Sequence, residues 1–187
     1  MNITTFESKE PLTYFGPELR PHFILSKFNI EDSALVVFRG PCEVKTDHLV
    51  DWEDRLAQDF IRAKEMVHFL GEFFGITLKE GIWIQRLIVS SLGNELLRLK
   101  LNVVRDGDDL FIDEKKLSVS IVTVSPVSVL LHLGLNIDST GAPVIATGLQ
   151  DHLSPPQIVT LISNVLSRFK TEYQSVHRAS VKVRPVI

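Results

Sequence analysis

Between Leu101 and Ile137 the chain is a succession of short extended runs divided by turn signals, and few folds accommodate such a succession. Leu101 to Val104 leads into the turn Arg105-Asp-Gly-Asp-Asp. Leu110-Phe-Ile leads into the turn Asp113-Glu-Lys-Lys, and a long apolar stretch from Leu117 to Ile137 is divided by Pro126. Such runs read as an antiparallel meander. Upstream, Ala34-Leu-Val-Val-Phe ends at Arg39-Gly-Pro and reads as a buried strand feeding a tight turn. From about Asp54 to Gly75, Leu56, Phe60, Ala63, Val67, Leu70 and Phe74 recur at spacings of four and three, which predicts an amphipathic helix. A second helix is expected over Leu78 to Leu99, although Gly81 and Gly93 interrupt it and Ile82-Trp-Ile also suits a strand. Ser154-Pro155 is an N-cap and first-turn pair for a last helix, and Val181 and Val183, alternating with Lys182 and Arg184, suggest a closing strand.

This order does not alternate as βαβ units, so a doubly wound nucleotide fold is disfavoured, and no Gly-rich phosphate loop of the usual kinds is present. The expected fold class is α+β: a mixed, mainly antiparallel sheet flanked by helices. With 187 residues, one domain over 1–187 is expected. A hydrophobic fraction of 44% supports a full core and excludes long disorder. Twenty basic against 23 acidic residues leave a formal charge of -3, which argues against a phosphate-backbone binder, so nucleic acid is not an expected partner. The amino-terminal decapeptide lacks the pattern of a signal peptide, and no run is long and apolar enough to span a membrane. A lone cysteine, Cys42, cannot form an intrachain disulfide or a thiolate metal cluster, which points to a reducing, cytoplasmic setting.

Asp108-Asp-Leu-Phe-Ile-Asp-Glu-Lys-Lys-Leu-Ser-Val-Ser and Leu131-His-Leu-Gly-Leu-Asn together resemble the core of the superfamily of biotin protein ligases, lipoate protein ligases and octanoyl transferases. In that superfamily an Asn-Asp pair, a lysine after a hairpin turn and a glycine-bearing strand ending in Asn line the acyl site. Asp108-Asp109 stands at the Asn-Asp position, Lys116 at the lysine, and His132-Leu-Gly134-Leu-Asn136 at the strand. Arg39-Gly40-Pro-Cys42-Glu-Val resembles the His-Gly-Pro-Gly-Gln loop of octanoyl transferases. Pro143-Val-Ile-Ala-Thr-Gly-Leu-Gln resembles their acyl-thioester segment, with Val144 in place of the cysteine. The resemblance spans about Leu35 to Gln150 and implies the biotin and lipoate ligase fold, related to that of class II aminoacyl-tRNA synthetases. It also implies transferase or ligase action on a lipoyl, octanoyl or biotinyl type of group, with ATP as cofactor on the ligase branch. More closely, Arg39-Gly-Pro-Cys, Val50-Asp-Trp-Glu-Asp and Leu117-Ser-Val-Ser-Ile are similar to the uncharacterised family called domain of unknown function 366, for which no activity carries over.

On its own chemistry, an ammonium at Lys116 can stabilise an oxyanion or acyl-phosphate oxygen, the alternative being a solvated hairpin lysine beside Lys115. If alternation holds across Pro126, Ser118, Ser120, Ser128, His132, Gly134 and Asn136 share one strand face, as a pocket wall or as a satisfied buried pair of His and Asn. Arg39 pairs with a ligand carboxylate or phosphate, or with Glu43. Cys42 reads as a small buried hydrophobe sooner than as a thiol nucleophile. Arg20 and His22 read as loop or cap residues. Asp47, His48, Asp51, Glu53 and Asp54 read as complements of a helix N-terminus sooner than as a metal site. The expected ligand is a small acid or acyl group, catalytic or only bound, and an open sheet edge leaves room for a homodimer.

Overall fold

The structure, a computed structural model, describes residues 3–186. Its strands are β1 (Thr4–Glu7), β2 (Ala34–Val44), β3 (Ile61–Phe73), β4 (Val103–Asp106), β5 (Asp109–Ile112), β6 (Lys115–Lys116), β7 (Ser118–Val124) and β8 (Val129–Asp138). The helices are α1 (Phe23–Phe28), α2 (Trp52–Leu56), α3 (Leu78–Arg98) and α4 (Pro155–Val181). The main sheet runs β1-β2-β3-β8-β7, with only β1 and β2 parallel, and β4-β5-β6 form a small antiparallel sheet beside it. The α+β class and the mixed, mainly antiparallel sheet are as the sequence led us to expect.

Two apolar layers flank the main sheet. One lies between the sheet and α3 and α4, filled by Leu35, Val37, Val67, Phe69, Leu131, Leu133 and Phe169 among others. The opposite face buries Val36, Phe38, Met66 and Leu70 under Tyr14 and the α1 residues Phe23 and Ile24. β3 therefore has apolar partners on both sides, and this corrects the largest sequence expectation. Residues 61–73 are a central strand; the helix of that region stops at Leu56, followed by Gln58 in the left-handed region. A strand covered on both faces reads as a nearly continuous apolar run, so the spacing of four and three arose without a helical face.

The helix expected over 78–99 is present as α3. Thr77 caps it: its hydroxyl accepts from the Glu80 N–H, and the Glu80 carboxylate accepts from the Thr77 N–H. Gly81 does not interrupt the helix; it lets α3 approach the sheet, because a Cβ there would lie 2.4 Å from Val129 Cγ1. Asp113 and Glu114, both at positive φ, close the β5–β6 hairpin. Instead of a closing strand, α4 runs through Val181, and residues 182–186 are irregular and exposed.

Candidate active-site cleft

Register decides which sequence candidates can meet. On β8 the odd positions face α3 and α4, and His132, Gly134 and Asn136 face the other way. Across the β7–β8 hairpin Ser118 pairs with Leu135 and Ser120 with Leu133, so both serines lie on the helix-facing side. The expected single face from Ser118 to Asn136 is thus split by the turn at Ser125–Ser128. Ser118 is buried with its hydroxyl accepting from the Leu110 N–H, while Ser128 donates to the buried Glu72. Both are ordinary ways of satisfying a buried hydroxyl.

A cleft of about 370 Å³ opens where α2, the start of β3, the β6–β7 corner and the segment 142–146 converge. Lys116, Ser120, His132 and Asn136 line it. The remaining candidates, Arg39, Gly40, Cys42, Ser118 and Gly134, do not. Arg39 pairs with Val67 and so lies on the helix-facing side of β2. Gly40 serves through its backbone: a Cβ there would sit 2.3 Å from Leu12 O. Cys42 is buried, and burial pushes its thiol up to about 12, which disfavours the nucleophilic thiolate. Arg20 bonds Pro17 O, and His22 stands at the N-cap of α1 with its backbone N–H on Glu72, both in loop and cap roles.

Lys116 is pinned through its backbone. Its N–H donates to Ile145 O and its carbonyl accepts from the Thr147 N–H, while its ammonium lies 2.7 Å from Asp109 Oδ2. Burial pushes the Asp109 carboxyl up from the carboxylate range, and the Lys116 contact opposes that rise. Behind it, Asp108 is held by Gln85 Nε2 at 2.9 Å, by the Ser120 hydroxyl at 2.9 Å and by Arg86 Nη1 at 3.1 Å. Asn136 joins three segments. Its backbone N–H donates to Leu117 O, and its Nδ2 donates to Thr147 O at 3.2 Å and to Lys116 O at 3.4 Å. Its Oδ1 is buried without a partner.

Sequence reasoning missed His68, because β3 was read as a helix. His68 and His132 are stacked between Phe38 and Tyr14; the Tyr14 and His132 rings lie 3.7 Å apart at 5°. Since the Gly40 carbonyl can only accept, His68 donates to it from Nε2 at 3.2 Å, which leaves Nδ1 bare. That nitrogen then accepts from His132 Nε2–H at 3.1 Å. The chain of bonds leaves His132 with an unprotonated Nδ1, for which no partner exists among the described residues. Burial holds His68 down at about 4 and pushes His132 down as well, so both are neutral near pH 7. Asp51 caps α2, accepting from the N–H groups of Glu53 and Asp54, in line with the expected helix-terminus role, and it lines the cleft together with Asp54 and Asp59. No group of three or more acidic, His or Cys side chains among the described residues converges well enough to hold a metal ion.

Helices packed on one face of a mainly antiparallel sheet, with a cleft on the other, define the class: the fold is that of the biotin and lipoate protein ligases. Aquifex aeolicus biotin protein ligase, solved with biotin and ATP, matches with a TM-score of 0.51 at 13% identity, over 93% of this chain and 72% of that one. A putative lipoate protein ligase of T. acidophilum with bound lipoic acid matches with a TM-score of 0.52 at 13% identity, over 91% of this chain and 84% of that one.

Within that class the chain belongs to the family described as domain of unknown function (DUF366), whose model matches residues 3–184. An uncharacterised protein of Methanocaldococcus jannaschii is 31% identical over 185 residues, covering 96% of this chain and 83% of the relative. A protein of unknown function from Pyrococcus horikoshi has a TM-score of 0.92 at 32% identity, with both chains fully covered. Among the described residues no helix is long and apolar enough to cross a membrane.

Proposed function

We propose that the cleft binds a small carboxylic or acyl ligand and that the protein is a transferase or ligase acting on it, with Lys116 as the electrostatic stabiliser. The observation carrying this reading is the Lys116–Asp109 pair at 2.7 Å, set on the wall of a cleft that also holds His132 and Asn136. An ammonium fixed by a carboxylate is pre-oriented for the oxygen on which charge develops, and a partly buried setting strengthens that interaction relative to water. The solved relatives of this fold with biotin or lipoic acid bound support the ligand class. A nucleoside triphosphate fits the lining poorly, because Arg62 and Lys116 stand against five carboxylates there.

A second reading, a binding protein that keeps the fold without the reaction, is favoured by Val144. This exposed valine stands where octanoyl transferases resemble this segment and carry their acyl cysteine, and Cys42 is buried away from the cleft. The two readings are tested by incubating the protein with octanoate, lipoate or biotin, with and without ATP, and following pyrophosphate release and acyl exchange. Turnover supports the transferase or ligase. Binding without turnover supports the second reading, and neither binding nor turnover with any of the acids overturns both.

A further inference from the structure

On the floor of the cleft one polar atom stands without a partner. His132 lines the cleft, and its ring is held from two directions. Tyr14 stacks on one face with the centroids 3.7 Å apart, and His68 Nδ1 accepts the His132 Nε2–H at 3.1 Å. These roles cannot be exchanged, because His68 Nε2 must donate to the Gly40 carbonyl, which can only accept. His132 Nδ1 is thereby an unprotonated acceptor, and no group among the described residues donates to it. It also opens on the cleft. Among the described residues the unpartnered side-chain atoms shut off from solvent are Arg86 Nη1 and Asn136 Oδ1, and His132 Nδ1 is not one of them.

The surroundings of this acceptor are apolar. Ile121 is the cross-strand neighbour of His132 on β7 and also lines the cleft. Met66 and Val119, both in the lining, close over Gly134. A Cβ on Gly134 would lie 2.9 Å from Met66 Sδ, 3.3 Å from Val119 Cγ2 and 3.5 Å from His132 Cε1. Water can satisfy Nδ1 in the free protein, but a ligand segment lying on this floor displaces it. A plain hydrocarbon chain then leaves the acceptor bare, which weakens binding, whereas a chain with a donor at that point restores the bond. A site that leaves its own polar group unpaired with the wrong ligand discriminates far more strongly than one methylene of fit can.

We infer that the ligand of this cleft carries a hydrogen-bond donor, an O–H or N–H, on the apolar chain or ring beyond its carboxyl group, and that His132 Nδ1 selects for it. His68 is the positioning residue: through its bond to Gly40 O it holds the His132 tautomer that presents an acceptor to the cleft. The inference rests on the reading of the cleft as a carboxylic or acyl site and narrows it, since an unsubstituted alkanoate is then a poor ligand.

The test uses the full chain and acids of matched chain length. Calorimetry gives dissociation constants for octanoate, for each positional hydroxyoctanoate, for the matching oxo-octanoates, which replace the donor by an acceptor, and for N-acyl amino acids that place one amide N–H along the chain. The best donor-bearing acid should bind at least about tenfold more tightly than octanoate, and the oxo acids no more tightly than octanoate. In His132→Phe, which keeps a ring against Tyr14 and removes the acceptor, the preference should fall to about twofold or less. A second measurement needs no change at His132. With isotope-labelled histidines, the His132 Nδ1 resonance in wild type should be that of an unprotonated nitrogen and should shift with the best donor-bearing acid and not with octanoate. His68→Phe should let the two tautomers mix, seen as averaged His132 resonances; a single unchanged tautomer there removes the positioning role. A gain below about tenfold at every position, a preference that survives in His132→Phe, or a His132 Nδ1 that is protonated or does not respond overturns the inference and leaves the acid-binding reading intact. Failure of every acid to bind overturns both.

Discussion

At the scale of single residues, the stacked histidines make a pH prediction. His68 and His132 have folded pKa values below the usual histidine value, His68 at about 4, so below about pH 6.5 the unfolded chain binds more protons than the folded one. Their stabilising contribution is therefore present above about pH 6.5 and falls as the pH drops below it. Denaturant titrations should show a loss on the order of 1–2 kcal/mol from His68 between pH 6.5 and 5, with His132 adding in the same direction. A flat profile there would mean that the rings are not buried as neutral bases. Asp138 titrates elsewhere: Thr140 and then Lys64 hold it below the carboxylate range, so its contribution is lost only in stronger acid. Cys42 gives a second check. Its buried thiol should resist alkylation in the native protein and react once denaturant is added, and rapid native labelling would place it at the surface. That Lys116 and Asn136 line a common cleft was legible in the sequence through motif order. His68 was not, since a histidine inside an apparent helix signals nothing about a strand-to-strand partner 64 residues away.

At the scale of elements, β3 shows where sequence periodicity fails. Leu56 and Phe60 belong to the exposed approach, while Val67 and Leu70 point to opposite faces of the sheet. The apparent helical stripe therefore joined residues with no common neighbour. α3 was legible because its start carries a capping box and its face is long, and its glycine made sense only once Val129 was seen against it. Leu70→Ala should cost about 2–5 kcal/mol, through loss of burial against the Phe23–Phe38 layer, and a loss within error would remove Leu70 from the core. Between helices, the buried Glu95 of α3 accepts from Arg98, Arg168 and Asn164, which ties α3 to α4. Glu95→Ala should cost about 1–3 kcal/mol, limited because both arginines can return to water. An unchanged denaturation midpoint would show that apolar packing alone holds the two helices.

For the whole molecule, the antiparallel meander after Leu101 was readable from turn chemistry, and the superfamily resemblance from motif order. The convergence of α2, the β6–β7 corner and residues 142–146 around one cleft was not, because it depends on register across the β7–β8 hairpin. That register also separates Ser118 from His132. The account's central claim is that this cleft, with Lys116 on its wall, is where ligand binds. Lys115 is the internal control, since it neighbours Lys116 in β6, is exposed and does not line the cleft. The direct measurement is ligand-induced thermal stabilisation of wild type, Lys116→Ala and Lys115→Ala with octanoate, lipoate and biotin. At a ligand concentration about a hundredfold above Kd, wild type and Lys115→Ala should each gain about 5–10 °C, and Lys116→Ala should gain almost none while melting, without ligand, within a few degrees of wild type. Equal ligand responses from the two lysine variants would contradict the claim and leave Lys116 as surface charge on a ligase-like fold.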